Sequence, residues 1–272
     1  MKKRFIVLVD FSEYSKNLIK FACEWSVQVD AEVLLLHQTL VFTPALSDNE
    51  SRKQHTLETN VEAMQDLKAL ASEHISQVNK LMFYVSEDSL NTTLKRFVAE
   101  PFENLIFVGL KGTGLFKQIL LGSVALQVIE NINKSVVAIP KEIDTFLHPK
   151  IFVAVTEKHP LNILELNNFL KFINTQNTTI TFFYLAKPNE KTIGIEKQLR
   201  ELSDLFSERF TTDFAIFEGV NPFDDIKQLI NNKTEEVLIV QKGTRFFTDQ
   251  LFRKFLVNDM VYEGQTPLVV LP

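Results

Sequence analysis

The first half of the chain alternates between two hydrophobic periods. Phe5-Ile6-Val7-Leu8-Val9 is an unbroken apolar run, as a parallel strand needs when both of its faces are covered. After Asp10-Phe11-Ser12 the pattern changes: Tyr14, Leu18, Ala22 and Trp25 recur every three or four positions, predicting an amphipathic helix with Ser12 as its N-cap. A strand over Val33–Leu36, a less regular stretch through Glu50 and a long helix around Leu57–Ile75 follow. Leu81–Val85 and Leu90–Val98 read as strand and helix. Leu105–Val108 is a further apolar run, succeeded by a glycine-punctuated loop, a helix from Val124 and a last strand within Ser135–Pro140. Five strands with intervening helices predict a doubly wound parallel α/β sheet with right-handed crossovers.

The second half repeats the plan. Ile151–Val155, Ile180–Leu185, Phe214–Phe217 and Val237–Val240 read as strands, with a helix through Leu164, Phe169 and Phe172 after the first. The chain ends Pro267-Leu268-Val269-Val270-Leu271-Pro272, an echo of Ser135–Pro140. A shift of 132 positions lays Val108 on Val240 and Pro140 on Pro272 without a gap. The reading is an internal duplication: an N-terminal domain over 1–142 and a C-terminal domain over 150–272, joined through Lys141–Lys150. The expected class is α/β, two tandem doubly wound five-stranded parallel sheets.

Composition narrows the function. A net charge of -5 over 272 residues leaves no basic surplus for a nucleic-acid backbone. Cys23 is the lone cysteine, which excludes an intrachain disulfide and fits a reducing, cytoplasmic setting. The apolar run after Met1-Lys2-Lys3-Arg4 stops at Asp10, too soon for a signal peptide, and no run approaches the roughly 18 residues of a membrane span. The 24 phenylalanines read as core filling.

The chemistry concentrates between Gly109 and Ser123, where the chain reads GLKGTGLFKQILLGS with the spacing Gly109-x2-Gly112-x9-Gly122-Ser123. A buried strand runs into glycines and then into a helix start. Glycines let a backbone approach a phosphate closely, and the first turn of a helix presents unpaired N–H groups to an anion. Gly109-x4-Gly114 is followed by Leu115, so it is no P-loop, and Gly112-x-Gly114 lacks the third glycine of a dinucleotide fingerprint.

These features together resemble the universal stress protein family: the first strand ending Asp10-Phe11-Ser12, the second ending Leu34-Leu35-Leu36-His37, the glycine–serine spacing, and the Ser-Val-Val-Ala-Ile-Pro strand. The resemblance covers the whole chain as a tandem pair, by pattern alone in the second half. It implies a Rossmann-like fold of the adenine nucleotide alpha hydrolase type, and in the first half the ATP-binding branch of the family. Carried over position by position, Gly109 and Gly112 would line a phosphate loop, and Gly122, Ser123 and Val124 would offer backbone N–H groups and a hydroxyl. Asp10 would accept hydrogen bonds from ribose or adenine. The segment His37-Gln38-Thr39 would border the base through backbone groups, with Gln38 among the binding positions, and the side chain of Lys111 could approach the phosphates. ATP, or AMP or ADP, with Mg²⁺ on the phosphates, is the implied cofactor. The two closing strands would pair about a pseudo-two-fold axis, making the chain a fused pseudo-dimer, with further homodimerisation open.

The second half departs from the pattern. Gly109, Gly112, Gly122 and Ser123 become Gln241, Thr244, Lys254 and Phe255, and Asp10 becomes Thr156, so nucleotide is not expected there in the same way. Asp10 and Ser123 also admit plainer roles, as a loop aspartate and an N-cap. The five histidines show no metal spacing and most read as surface or loop residues, and Cys23 reads as buried filler. No catalytic base, arginine finger or Walker aspartate is evident. The expected function is therefore a nucleotide-dependent regulatory module and no enzyme, set against a weak ATP hydrolase or phosphotransferase and a non-binding tandem scaffold.

Overall fold

A computed structural model describes residues 1–41, 48–74, 78, 80–110, 123–140, 143, 145–146, 149–157, 159–186, 189–218, 236–242 and 266–272. The first half runs β1 (Lys2–Leu8), α1 (Ser15–Val29), β2 (Ala31–Gln38), α2 (Asn49–Leu70), β3 (Leu81–Ser86), α3 (Leu90–Val98), β4 (Phe102–Gly109), α4 (Ser123–Asn131) and β5 (Val136–Ile139). The second runs β6 (Lys150–Ala154), α5 (Ile163–Leu170), β7 (Thr179–Ala186), α6 (Ile193–Phe206), β8 (Thr211–Glu218), β9 (Glu236–Gln241) and β10 (Leu268–Leu271). Among these residues no helix is long and apolar enough to cross a membrane.

The strands form one ten-stranded sheet in the order β3-β2-β1-β4-β5-β10-β9-β6-β7-β8. Every neighbouring pair is parallel except β5 and β10, which meet antiparallel at the centre. The two five-stranded units thus join edge to edge as a single sheet. The registers follow the duplication: Ile106 pairs with Val136, and Leu238 pairs with Leu268. At the seam Val137 faces Val269, flanked by Ala138–Leu268 and Val136–Val270, a pattern that a two-fold axis maps onto itself. Each edge strand covers the other's unpaired N–H and C=O groups, the usual hazard of a sheet edge.

Alternation along the strands explains the two layers. Phe5, Val7 and Val9 enter a core with α1, whereas Ile6 and Leu8 enter a second core with α3 and α4 on the opposite face. The first core runs without a break from Val33 and Leu35 in one half to Phe182 and Phe206 in the other. Phe5, Phe21, Phe107, Phe146, Phe169, Phe182, Phe183 and Phe206 are almost fully enclosed and fill much of the described interior. Each such ring removed from water contributes about 2 kcal/mol of burial.

Several local expectations change. Ser12 does not cap α1, which begins at Ser15 with Tyr14 at the N-cap position. The Asp10 carboxylate takes the Ser12 N–H at 3.1 Å, so the turn closes before the helix starts. α2 starts well before Leu57, at Asn49, because Asp48 accepts the Ser51 N–H at 2.7 Å, and it ends at Leu70. Its apolar pattern is weak, and only Ala63 and Leu67 on it are buried, which is why periodicity placed it badly. α5 stops at Leu170, leaving Phe172 in the turn beyond. His74 is buried, unlike a surface histidine. Arg4 is buried too: Nε donates to Asn104 Oδ1 at 2.9 Å, Nη2 to the Phe97 carbonyl at 2.6 Å, and Nη1 to Glu100 at 2.5 Å.

Candidate functional site

In each half the strand order reverses direction between the first and fourth strands, β1 and β4 in the first half. An open α/β sheet splays its connecting loops to opposite faces there, leaving a crevice beyond the strands' C-terminal ends. A cavity of about 430 Å³ occupies this crevice in the first half. It runs from Gly109, Val124 and Ala125 at the β4–α4 end to His37 and Gln38 at the end of β2 and Leu40 beyond it, with Asp10 and Tyr14 between. Its walls are largely aliphatic, with Leu8, Leu18, Leu36, Leu90 and Val108 among them. An apolar cleft with a few placed polar groups is the common form of a small-molecule site.

Of the residues singled out in the sequence, Asp10, Gln38, Gly109 and Val124 line this cavity together. Ser123 is the first residue of α4, so that helix opens where the glycine–serine spacing placed it. Lys111, Gly112 and Gly122 lie outside the described residues. A Cβ on Gly109 would meet Leu18 Cδ2 at 3.8 Å, an ordinary contact, so glycine is not demanded there by the protein's own packing. What the missing side chain provides is open space.

Asp10 has a structural task of its own. Its Oδ1 accepts the Ser12 N–H and the Ser15 hydroxyl, each at 3.1 Å, and so ties the β1–α1 turn. Between Asp10 and Ser12, Phe11 adopts φ 55°, a left-handed conformation that costs a bulky residue about 1–2 kcal/mol. The Phe11 ring lies against His37, with centroids 4.3 Å apart. His37 Nδ1 is 2.7 Å from the Val9 carbonyl. A carbonyl only accepts, so Nδ1 carries the proton and Nε2 is left as an acceptor in the neutral ring. This Phe11–His37 pair escaped the sequence reading, which took His37 for a bordering backbone position. A phenylalanine between two turn-forming polar residues was the available clue.

Beyond His37 the rim is braced by side chains. Thr39 Oγ1 donates to Asn60 Oδ1 at 2.6 Å, and Asn60 Nδ2 donates to Glu87 at 3.0 Å, tying α2 to the ends of β2 and β3. Glu87 is held below its ordinary carboxylate range, chiefly by a backbone N–H and then by the Asn60 amide. The described residues hold no group of three or more His, Cys, Asp or Glu suited to a metal ion. Cys23 is fully buried, and burial pushes its thiol up to about 12, far from a reactive thiolate.

In the second half the corresponding positions carry side chains that bond within their own half. Gln241, at the position of Gly109, accepts the Asn162 N–H at 2.5 Å and donates to the Pro160 carbonyl at 3.2 Å. Thr156, at the position of Asp10, donates to the His159 carbonyl at 3.2 Å. Both bind down the segment leading into α5. Thr244, Lys254 and Phe255 lie outside the described residues. The next residue, Lys242, reaches across to α4 and donates to the Glu130 carbonyl at 2.5 Å, a cation at the negative end of that helix.

The structural similarity is to proteins of the same architecture. A universal stress protein from Archaeoglobus fulgidus DSM 4304 matches with a TM-score of 0.66 at 16% identity, covering 98% of this chain and 97% of that one. A functionally unknown protein from Pseudomonas aeruginosa PAO1 matches with a TM-score of 0.57 at 14% identity, covering 99% and 92%. At such identities the likeness is one of fold. No curated protein matches the sequence. The model of the universal stress protein family matches residues 1–140, the half that holds the open cavity. The chain belongs to the universal stress protein family.

Proposed function

We propose that the first half binds an adenine nucleotide, ATP or a shorter adenylate, and that the chain acts as a nucleotide-dependent regulatory module in a stress response. The observation that carries this reading is the cavity at the β1–β4 reversal, bordered by Asp10, Gln38, Gly109 and Val124. Its α4 end suits phosphates: a helix start supplies N–H donors and the positive end of a dipole. Gly122 and Ser123 would complete that cradle, with Lys111 near it. Among the described lining residues there is no lysine or arginine. Phosphate charge would therefore fall to backbone N–H groups, Lys111 and a Mg²⁺ held by the nucleotide.

Asp10 serves both readings, since a carboxylate that ties a turn can also accept a hydrogen bond from a ribose hydroxyl. Binding would act by favouring one conformation over another, which requires unequal affinity for the two. No turnover step is assigned, and a cytoplasmic location accompanies the reading. Calorimetric titration of Mg-ATP into nucleotide-stripped protein tests it, beside a Gly122→Val, Ser123→Ala variant. One site per chain that the variant loses is the expected result. A folded wild type without binding leaves the tandem scaffold.

A further inference from the structure

We propose that His37 reads the base of the nucleotide, accepting a hydrogen bond on Nε2 from an exocyclic amine, with Phe11 as the positioning residue that holds the imidazole. The inference rests on the nucleotide reading above and extends it to base selection.

Three observations carry it. The tautomer is set by the protein: the Val9 carbonyl, 2.7 Å from Nδ1, accepts a hydrogen bond from the Nδ1–H, so in the neutral ring Nε2 is the acceptor. The ring orientation is also set. Phe11 lies 4.3 Å away, centroid to centroid, at 43°, in a left-handed backbone conformation that Asp10 stabilises from the flanking turn. A strained aromatic residue beside a cavity is where function is to be sought. Third, His37 lies at the end of the cavity away from α4. With phosphates at the α4 start, the base falls at the β2 end, where His37 and Gln38 are the polar lining residues.

The chemistry then discriminates. A 6-aminopurine donates a hydrogen bond to an acceptor nitrogen. A 6-oxopurine turns its own carbonyl lone pairs toward Nε2, and an unsubstituted purine offers nothing. One hydrogen bond of ordinary strength corresponds to about tenfold in affinity.

The test compares Mg-ATP with Mg-purine riboside 5′-triphosphate, which lacks only the amine, by calorimetry on the full chain. The wild type is expected to prefer ATP about tenfold. His37→Asn places an amide nitrogen at Nδ1, keeping the bond to Val9 while removing the acceptor, and the preference should fall to about one. His37→Gln, whose amide reaches the Nε2 position, should retain part of it. Phe11→Ala should weaken the preference and Phe11→Tyr restore it, which a role in stability alone would not produce. A wild type that binds both equally, or an Asn variant that keeps the full preference, overturns the proposal and leaves the nucleotide reading standing. A wild type that binds neither overturns both. Should the Asn variant misfold, ¹⁵N-histidine spectra of the wild type decide: the Nε2 resonance moves upfield with ATP and stays with the analogue, and an unmoved resonance with ATP overturns it.

Discussion

The indole N–H of Trp25, on α1 of the first half, donates at 2.8 Å to the backbone carbonyl of Phe172 in the second half. The same indole stacks on Phe146 of the connecting segment, with centroids 3.7 Å apart and planes at 18°. Phe5, Phe107 and Phe169 meet its edges. The one tryptophan of the chain therefore joins the two halves on the α1 face, while β5 and β10 join them through the sheet.

Trp25→Phe keeps most of the packing and orphans the buried Phe172 carbonyl, so it should cost about 1–3 kcal/mol. Trp25→Ala should cost about 3–5 kcal/mol by opening a cavity among the phenylalanines. Urea unfolding followed by circular dichroism measures both. A Trp25→Phe variant as stable as wild type would show that the hydrogen bond to Phe172 carries nothing.

The contrast between Gly109 and Gln241 predicts opposite outcomes for exchanged residues. Gly109→Gln should leave the fold intact and abolish ATP binding, by putting a side chain into the open space of the first cavity. Gln241→Gly should cost about 1–3 kcal/mol through the two lost hydrogen bonds, without creating a second site. Calorimetric stoichiometry and thermal melts read both outcomes.

Asp48 makes the start of α2 sensitive to acid. Backbone and side-chain hydrogen bonds from Ser51 lower its carboxyl below the ordinary value of 3.8. A carboxylate lowered on folding stabilises fully above its unfolded value and loses that contribution as pH falls through the folded one. Asp48→Ala should thus lower the urea midpoint at pH 7, and the gap to wild type should close below about pH 4. A gap independent of pH would show that the charge plays no part.

The seam should not tolerate charge. Val269 is fully buried opposite Val137, so Val269→Asp places an unpaired carboxylate between the two halves. A loss of more than about 3 kcal/mol is expected, with faster limited proteolysis. Wild-type resistance in that variant would mean the seam is open to water.

Legibility in the sequence followed the strength of each pattern. Phe5–Val9 and Leu105–Val108 were readable because a strand covered on both faces must be apolar throughout. Leu90–Val98 matched its helix to the residue, with Ser89 capping Thr92 and apolar residues gathered on one face. α2 was misplaced because it buries so little, leaving its start to one cap, Asp48. At the site, glycine spacing announced a strand end and a helix start, since those need particular residues locally. The Phe11–His37 contact left no periodic trace, because it joins a turn to a strand end 26 positions away.

Chemistry local to the chain determined the alternation of elements, the duplication and the asymmetry between Gly109 and Gln241, for these follow from side-chain size and polarity at fixed spacing. Tertiary structure decided the rest. It set the antiparallel joining of β5 to β10 into one sheet, the docking of Trp25 on Phe172, and the bonding of Gln241 to the segment leading into α5. Those depend on groups far apart in the chain, and their energies exist only once packing has brought them within contact.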